Sequence, residues 1–287
     1  MAPVEGGASN ITWRARLGEA PFAAVALRLQ RDTGILAPYD VVREGEVLRR
    51  LQGSGIPVPA FVDVEPGAGV LGAPFLVMEW IEAPHMGIAG TQVTFASYVQ
   101  KVAAIHALDW RALGLGFLGV PATAAAGTLA GLDRIEARMA AFGCADDRLL
   151  ARALATLRAT VPPGGELSFC QGDINVFNYL VRNGEVVAVV DWEMARIGDL
   201  RNDIGQIAAL GHLKAGTPFV DASELPFVRA YEAVSGRQLP HMNYFRARWL
   251  FELGVIYHGW LKHNDFEPWY SWEHLSELLG AALPGLP

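Results

Sequence analysis

Alternating apolar and polar positions open the chain, and helical periodicity closes it. Ile11 to Leu17 and Phe22 to Leu29 alternate as strands do, joined by the turn residues Gly18-Glu19-Ala20-Pro21. Tyr39 to Gln52 has apolar residues at helical spacing and is stopped by Gly53-Ser54-Gly55, with Pro57 and Pro59 beyond. Val58 to Val64 and Phe75 to Ile81 read as further strands, separated by a glycine-rich turn between Gly67 and Gly72. After Pro84 the pattern changes to Ala-rich helices at roughly 92–109, 128–143 and 146–160, the last ended by Pro162-Pro163. A strand ending at Cys170 and an adjacent strand ending at Val190 follow, with Asn183-Gly184 as a tight hairpin turn. From Asp199 onward the chain reads as helical, including a long amphipathic stretch from Tyr244 to His263. These elements predict an α+β, two-lobed molecule. Residues 1–81 form a small antiparallel sheet lobe with one helix, and residues 82–287 a larger, mainly helical lobe, with a linker near Glu79 to Pro84.

Composition narrows the function. Apolar residues make up 52% and charged residues 18% of the 287, which is globular rather than disordered. A net charge of -7 argues against a nucleic-acid partner. Cys144 and Cys170 make neither a metal-ligand spacing nor a disulfide framework, which suits a reducing, cytoplasmic setting. The N-terminal residues lack the pattern of a signal peptide, and no apolar run reaches the ~20 residues that span a bilayer. No membrane partner is expected.

The chemistry concentrates in Phe169-Cys-Gln-Gly-Asp173-Ile-Asn-Val-Phe-Asn178 and Val186-Val-Ala-Val-Val-Asp191. Phosphoryl transfer from a nucleotide needs metal ions on the phosphates and a carboxylate that orients the attacking hydroxyl. Asp173 fits the second role, and Asn178 and Asp191 fit Mg²⁺ ligation, since Mg²⁺ takes few carboxylates alongside phosphate oxygens and water. The spacing Asp-x-x-x-x-Asn matches the catalytic loop of kinases. Turn capping by Asp and Asn explains any one of these residues alone, but not the three together.

Upstream, Val25-Ala-Leu-Arg28 copies the kinase Val-Ala-Ile-Lys strand with Arg in place of Lys. Alternation puts Val25, Leu27 and Leu29 on one face and Ala26 and Arg28 on the other. On the next helix Glu44 shares an apolar stripe with Leu48 and Leu51, so it needs a cationic partner, and Arg28 is the candidate. Glu46 is the competing choice. Gly6, Gly7, Ala8 and Ser9 could bring backbone N–H groups close to phosphates, or simply be a loose start. Asp199 and Asp203 read as a helix N-cap and a buried acceptor that braces the catalytic loop. His106 reads as a packed or capping histidine. In the tryptophan- and histidine-rich C-terminal quarter, Glu252, His258, Lys262, Asp265 and Trp269 could line an acceptor pocket.

Taken together, these residues resemble the aminoglycoside phosphotransferase family, in its choline-kinase-like and acyl-CoA-dehydrogenase-associated branch. The resemblance runs from Gly-Gly-Ala-Ser-Asn-Ile-Thr-Trp13 through Leu27-Arg28, Glu44-x-x-Val-Leu48, Ile56-Pro-Val-Pro59, Leu71-Gly-Ala-Pro-Phe-Leu-Val-Met-Glu79 and Ile105-His-Ala-Leu-Asp-Trp110 to the Asp173/Asn178/Asp191 set. It implies a protein-kinase-like fold, ATP or GTP with Mg²⁺, and a small-molecule hydroxyl as acceptor, whether on an antibiotic sugar, an amino alcohol or a hydroxyacyl compound. It also implies that adenine hangs on the backbone of Glu79, Trp80 and Ile81. Two positions depart from the pattern: Gln171 stands where the family usually has His, and Arg28 where kinases have Lys. These departures leave a non-catalytic nucleotide-binding module as the alternative. A protein kinase is disfavoured, because no long activation segment separates Asp191 from Asp203.

Overall fold

The computed structural model describes residues 2–3, 10–18, 23–213, 217–264 and 268–286. In chain order its elements are β1 (Ala2–Pro3), β2 (Ile11–Arg16), β3 (Ala24–Leu29), α1 (Val41–Leu51), β4 (Phe61–Glu65), β5 (Phe75–Glu79), α2 (Met86–Ala89), α3 (Thr91–His106), α4 (Ala124–Phe142), α5 (Arg148–Ala159), β6 (Leu167–Cys170), β7 (Tyr179–Arg182), β8 (Glu185–Val189), β9 (Arg196–Asp199), α6 (Arg201–Leu213), α7 (Pro226–Ser235), α8 (Met242–His263) and α9 (Trp272–Ala282). Packing divides the chain into two compact units. One is Met1–Gly116 with Gln171–Ala195; the other is Phe117–Cys170 with Arg196–Pro287. The lobe boundary expected at residues 81 and 82 falls inside the first unit, which keeps α2, α3 and the β7–β8 hairpin with the sheet.

The first unit is built on an antiparallel sheet of order β1-β2-β3-β5-β4. The short strand β1 was not expected. Helix α1 covers β4 and β5. It starts where the Asp40 side chain accepts the Arg43 N–H at 2.8 Å, an N-cap worth ~1 kcal/mol. Its buried face is Val41, Glu44, Val47, Leu48 and Leu51, an apolar stripe interrupted by one carboxylate. The β7–β8 hairpin turns through Asn183 (φ 53°) and Gly184 (φ 81°), the double left-handed pair that a tight two-residue turn requires. Its inner strand meets α3, where Val186 N–H donates to Ser97 Oγ at 3.0 Å.

The second unit packs α4, α5, α6 and α9 around the long, mostly buried α8. Helices α6 and α8 touch at Gly205, where an added Cβ would lie 2.6 Å from the Phe245 carbonyl oxygen. The sequence pattern placed the strand ending at Cys170 beside the one ending at Val190. Instead β6 pairs with β9, in the register Leu167↔Asp199 and Cys170↔Arg196, while β7 pairs with β8. Strand β9 escaped the sequence reading because Arg-Ile-Gly-Asp is too short to display alternation. Among the described residues no helix is long and apolar enough to cross a membrane.

Candidate active site

Strand β3 alternates as expected: the face carrying Ala24, Ala26 and Arg28 is buried, while on the other Val25 is buried and Leu27 and Leu29 are half-buried. The burial of Arg28 has an electrostatic cause. Arg28 Nε lies 3.0 Å from Glu44 Oε2, and its Nη2 lies 2.8 Å from both Asp191 Oδ1 and Glu193 Oε2. Glu46, the competing partner, instead pairs with Arg49 and Arg50 on the outer face of α1. Burial works against the charge on Arg28, yet Asp191, Glu44 and Glu193 outweigh it and hold the group charged. One guanidinium cannot neutralise three carboxylates. Burial pushes the Glu44 carboxyl up to about 8; Arg28 opposes the shift, and Asp191 and Glu193 reinforce it.

The loop after β6 supplies the other side chains. Asn178 Nδ2 donates to Asp173 Oδ2 at 3.0 Å and to the Asp173 carbonyl at 2.9 Å. Asn178 in turn accepts Val190 N–H on its own carbonyl at 2.9 Å, which sets it beside the Asp191 turn. Asp191 adopts φ 62°, a left-handed conformation that a non-glycine residue holds only when its surroundings over-determine it. Those surroundings include Arg43, whose guanidinium donates to the carbonyls of Glu193 and Ala195, and Trp192 N–H, which donates to Glu44 Oε1 at 3.3 Å. Gln171 is fully buried. Its Nε2 donates to Val190 O at 2.9 Å and its Oε1 accepts the Tyr179 hydroxyl at 2.6 Å, so this residue ties both sides of the loop together.

The fit to a divalent cation follows from this charge balance. Asp191 and Glu193 bring carboxylate oxygens to one guanidinium, and Asn178, tied to Asp173 and to Val190 N–H, adds an amide oxygen to the same loop; these are the hard oxygen donors that Mg²⁺ favours. Glu193 was missed in the sequence, as was its partner Asn10. Asn10 Nδ2 donates to Glu193 Oε2 at 3.0 Å, while Asn10 Oδ1 accepts Arg31 N–H at 3.2 Å. The signal that could have found Glu193 is its place two residues after Asp191, which extends the acidic motif.

The linker is held at both ends. Glu79 N–H is bound to Ala60 O and Trp80 N–H to Ala24 O, while Glu79 Oε2 accepts Ala60 N–H. Among the described residues Ile81 N–H has no backbone partner. The Trp80 ring lies 5.0 Å from the Arg14 guanidinium. Gly6, Gly7, Ala8 and Ser9 fall outside the described residues, as does Asp265.

The other residues expected to line an acceptor pocket do not share one environment. Glu252 is buried between Arg138 and Arg248, His258 packs its ring 4.9 Å from that of Trp272, and Trp269 is largely exposed against Tyr270. Lys262 donates to the Ala141 carbonyl. Asp199 accepts Arg201 N–H at the start of α6 and also holds the Arg201 guanidinium; Asp203 accepts from Arg196 at 2.8 Å. His106 is buried at the end of α3.

Comparisons with known proteins follow the same outline. The chain is 25% identical over 286 residues to acyl-CoA dehydrogenase family member 11 of Rattus norvegicus, covering 88% of this chain and 35% of that protein. It is 23% identical over 231 residues to family member 10 of Mus musculus, covering 75% and 20%. The chain thus spans about a third or less of the length of these curated relatives. A putative aminoglycoside phosphotransferase from Ralstonia eutropha JMP134 superposes with a TM-score of 0.75 at 18% identity, covering 99% of this chain and 92% of that one. A thermostable mutant of aminoglycoside phosphotransferase APH(4)-Ia, in ternary complex with AMP-PNP and hygromycin B, superposes at 0.60 and 16% identity, covering 98% and 92%. The protein-kinase-like two-lobe fold is therefore shared. The model of the phosphotransferase enzyme family (APH) matches residues 1–250, and the chain belongs to that family.

Proposed function

We propose that this phosphotransferase moves the γ-phosphoryl group of ATP or GTP to a hydroxyl of a small molecule, with Mg²⁺ bound at Asn178 and Asp191. The observation that carries the reading is the Arg28 guanidinium shared among Glu44, Asp191 and Glu193, an arrangement short of positive charge. A nucleotide-bound cation would relieve that shortage. Glu193 joins the expected ligands on the same ground. When bound, Mg²⁺ would neutralise charge on the phosphates. An APH(4)-Ia complex that holds AMP-PNP supports a nucleotide at this fold, and the curated relatives leave the acceptor open.

In this reading Asp173 accepts the proton of the acceptor hydroxyl as that oxygen attacks the γ-phosphorus. The bond from phosphorus to the bridging oxygen breaks, and the nucleoside diphosphate leaves with the electron pair. Asn178 orients Asp173 through its 3.0 Å hydrogen bond. Residues 1–81 carry the nucleotide, with the backbone of Glu79 to Ile81 meeting the base. Residues 82–287 supply the catalytic loop and the acceptor pocket. The departure at Gln171 does not favour the non-catalytic alternative, since Gln171 fills both of its hydrogen-bonding roles within the loop.

The test is nucleoside diphosphate release against a panel of hydroxylated compounds. Asp173→Asn is expected to lower kcat by about 10²–10⁴-fold, the usual contribution of a general base. Asp191→Ala is expected to abolish Mg²⁺-dependent nucleotide binding while circular dichroism stays native. Either variant turning over at the wild-type rate would defeat the proposal.

A further inference from the structure

Arg246 lies in the second turn of α8 and is 3% exposed. Its Nη1 donates to the Val220 carbonyl and its Nη2 to Asn243 Oδ1 at 2.8 Å, and the guanidinium lies 3.9 Å from the centre of the Phe219 ring. Its Nε is buried without a hydrogen-bond partner. No carboxylate completes the set among the described residues. Asp221 acts on Arg246 through its charge alone. Its own oxygens accept from Ser223 N–H and Oγ on one side and from Asn243 Nδ2 on the other.

A structural ion pair in the same unit looks different. Arg201 spends Nε and Nη2 on Asp199, and its donors also reach the carbonyls of Pro240 and Gly164. A buried charge without a counter-charge is costly, and two groups register that cost here. Burial lowers the pKa of Arg246 to about 10, against the opposing charge of Asp221. Burial first, and then the charge of Arg246, lower the pKa of His212, whose ring lies 5.1 Å from that of Phe219.

This guanidinium lines a cavity of about 240 Å³. Its polar lining is Arg246 and Asn243 from the start of α8, with the exposed Asp221; its apolar lining includes Phe219, Val220 and, from the last turn of α9, Ala281. Drug-sized ligands fill ~300–1,000 Å³, so this cavity admits a smaller molecule. One under-neutralised guanidinium calls for one negative charge. Asp221, held ionised by Ser223 and Asn243, stands at the same cavity and repels a second. The apolar lining rewards a hydrocarbon body.

We propose that the cavity beside Arg246 binds a small organic monocarboxylate, its carboxylate paired with the Arg246 guanidinium and its hydrocarbon part against Phe219, Val220 and Ala281. All of these residues belong to the second packing unit, so the site is complete within it and stands whether or not the chain transfers phosphate.

The experiment is calorimetric titration of the full chain with butanoate, 3-methylbutanoate, benzoate and phenylacetate, each against its own primary amide, and with inorganic phosphate. At least one carboxylate is expected to bind about tenfold or more tightly than its amide, the scale of one charge-assisted hydrogen bond, and more tightly than phosphate. Arg246→Gln is expected to erase the difference between acid and amide. Ala281→Phe, at an exposed position of the cavity lining, is expected to weaken acid and amide alike by about tenfold or more while circular dichroism stays native. Should Arg246→Gln lose its native circular dichroism, Ala281→Phe and the comparison of acid with amide on the wild type decide. The proposal is overturned if no carboxylate binds in the millimolar range, or if an amide or phosphate binds as tightly as the best acid. A folded variant of either kind that binds the acid as the wild type does overturns it equally.

Discussion

At the scale of single residues, the excess of carboxylates around Arg28 has a measurable consequence. Glu44 has a folded pKa of about 8 against an ordinary value of 4.5. A group raised in this way favours folding fully below pH 4.5, and that contribution is lost as pH rises towards 8. In a chelator, without divalent metal, Glu44→Gln is therefore expected to gain stability relative to wild type between pH 5 and pH 9. Denaturation midpoints at the two pH values check this, and a difference that stays constant or reverses would remove the argument. The pair Arg28–Glu44 was legible in the sequence because a charge on an apolar helical stripe has to be met. Glu193 was signalled only by its place after Asp191, and Asn10 by nothing local. Their roles depend on side chains distant in sequence, with 183 positions separating them, and nothing local marks Asn10 as a partner of Glu193.

At the scale of elements, glycine on α6 makes a paired test. Gly205 abuts the backbone of Phe245 on α8, so Gly205→Ala forces two helices apart and is expected to cost about 1–3 kcal/mol by overpacking. Gly211, on the same helix, faces open space, and Gly211→Ala should stabilise by up to about 1 kcal/mol through helix propensity. Chemical denaturation of the two variants measures both signs; two changes of the same sign would show that α6 and α8 are not packed as described. Helices α1, α3, α4, α5 and α8 were readable because three or more turns give the apolar stripe room to repeat. Strands β6 and β9 span four residues each, and their pairing is a choice of partner that no local pattern encodes.

At the scale of the whole molecule, ligand linkage joins the proposed metal–nucleotide site to stability. Mg-nucleotide at about 100 times its Kd should stabilise the chain by roughly 2.7 kcal/mol, seen as a rise in melting temperature. Chelation of the metal should remove the rise, and Asp191→Ala should show none; a shift that survives both would place the nucleotide elsewhere. The order of motifs along 287 residues was enough to determine the two-lobe phosphotransferase fold and the Arg28–Glu44 pair, and to nominate Asp173, Asn178 and Asp191 as the proposed catalytic set. Each depends on local spacing or on the penalty for an unmatched buried charge, both of which are written in one dimension. Tertiary structure alone decided the sharing of Arg28 among three carboxylates and the cavity that brings Arg246 of α8 beside Phe219 and the end of α9. Those arrangements arise where distant segments meet, and electrostatic balance there is a sum over neighbours in space.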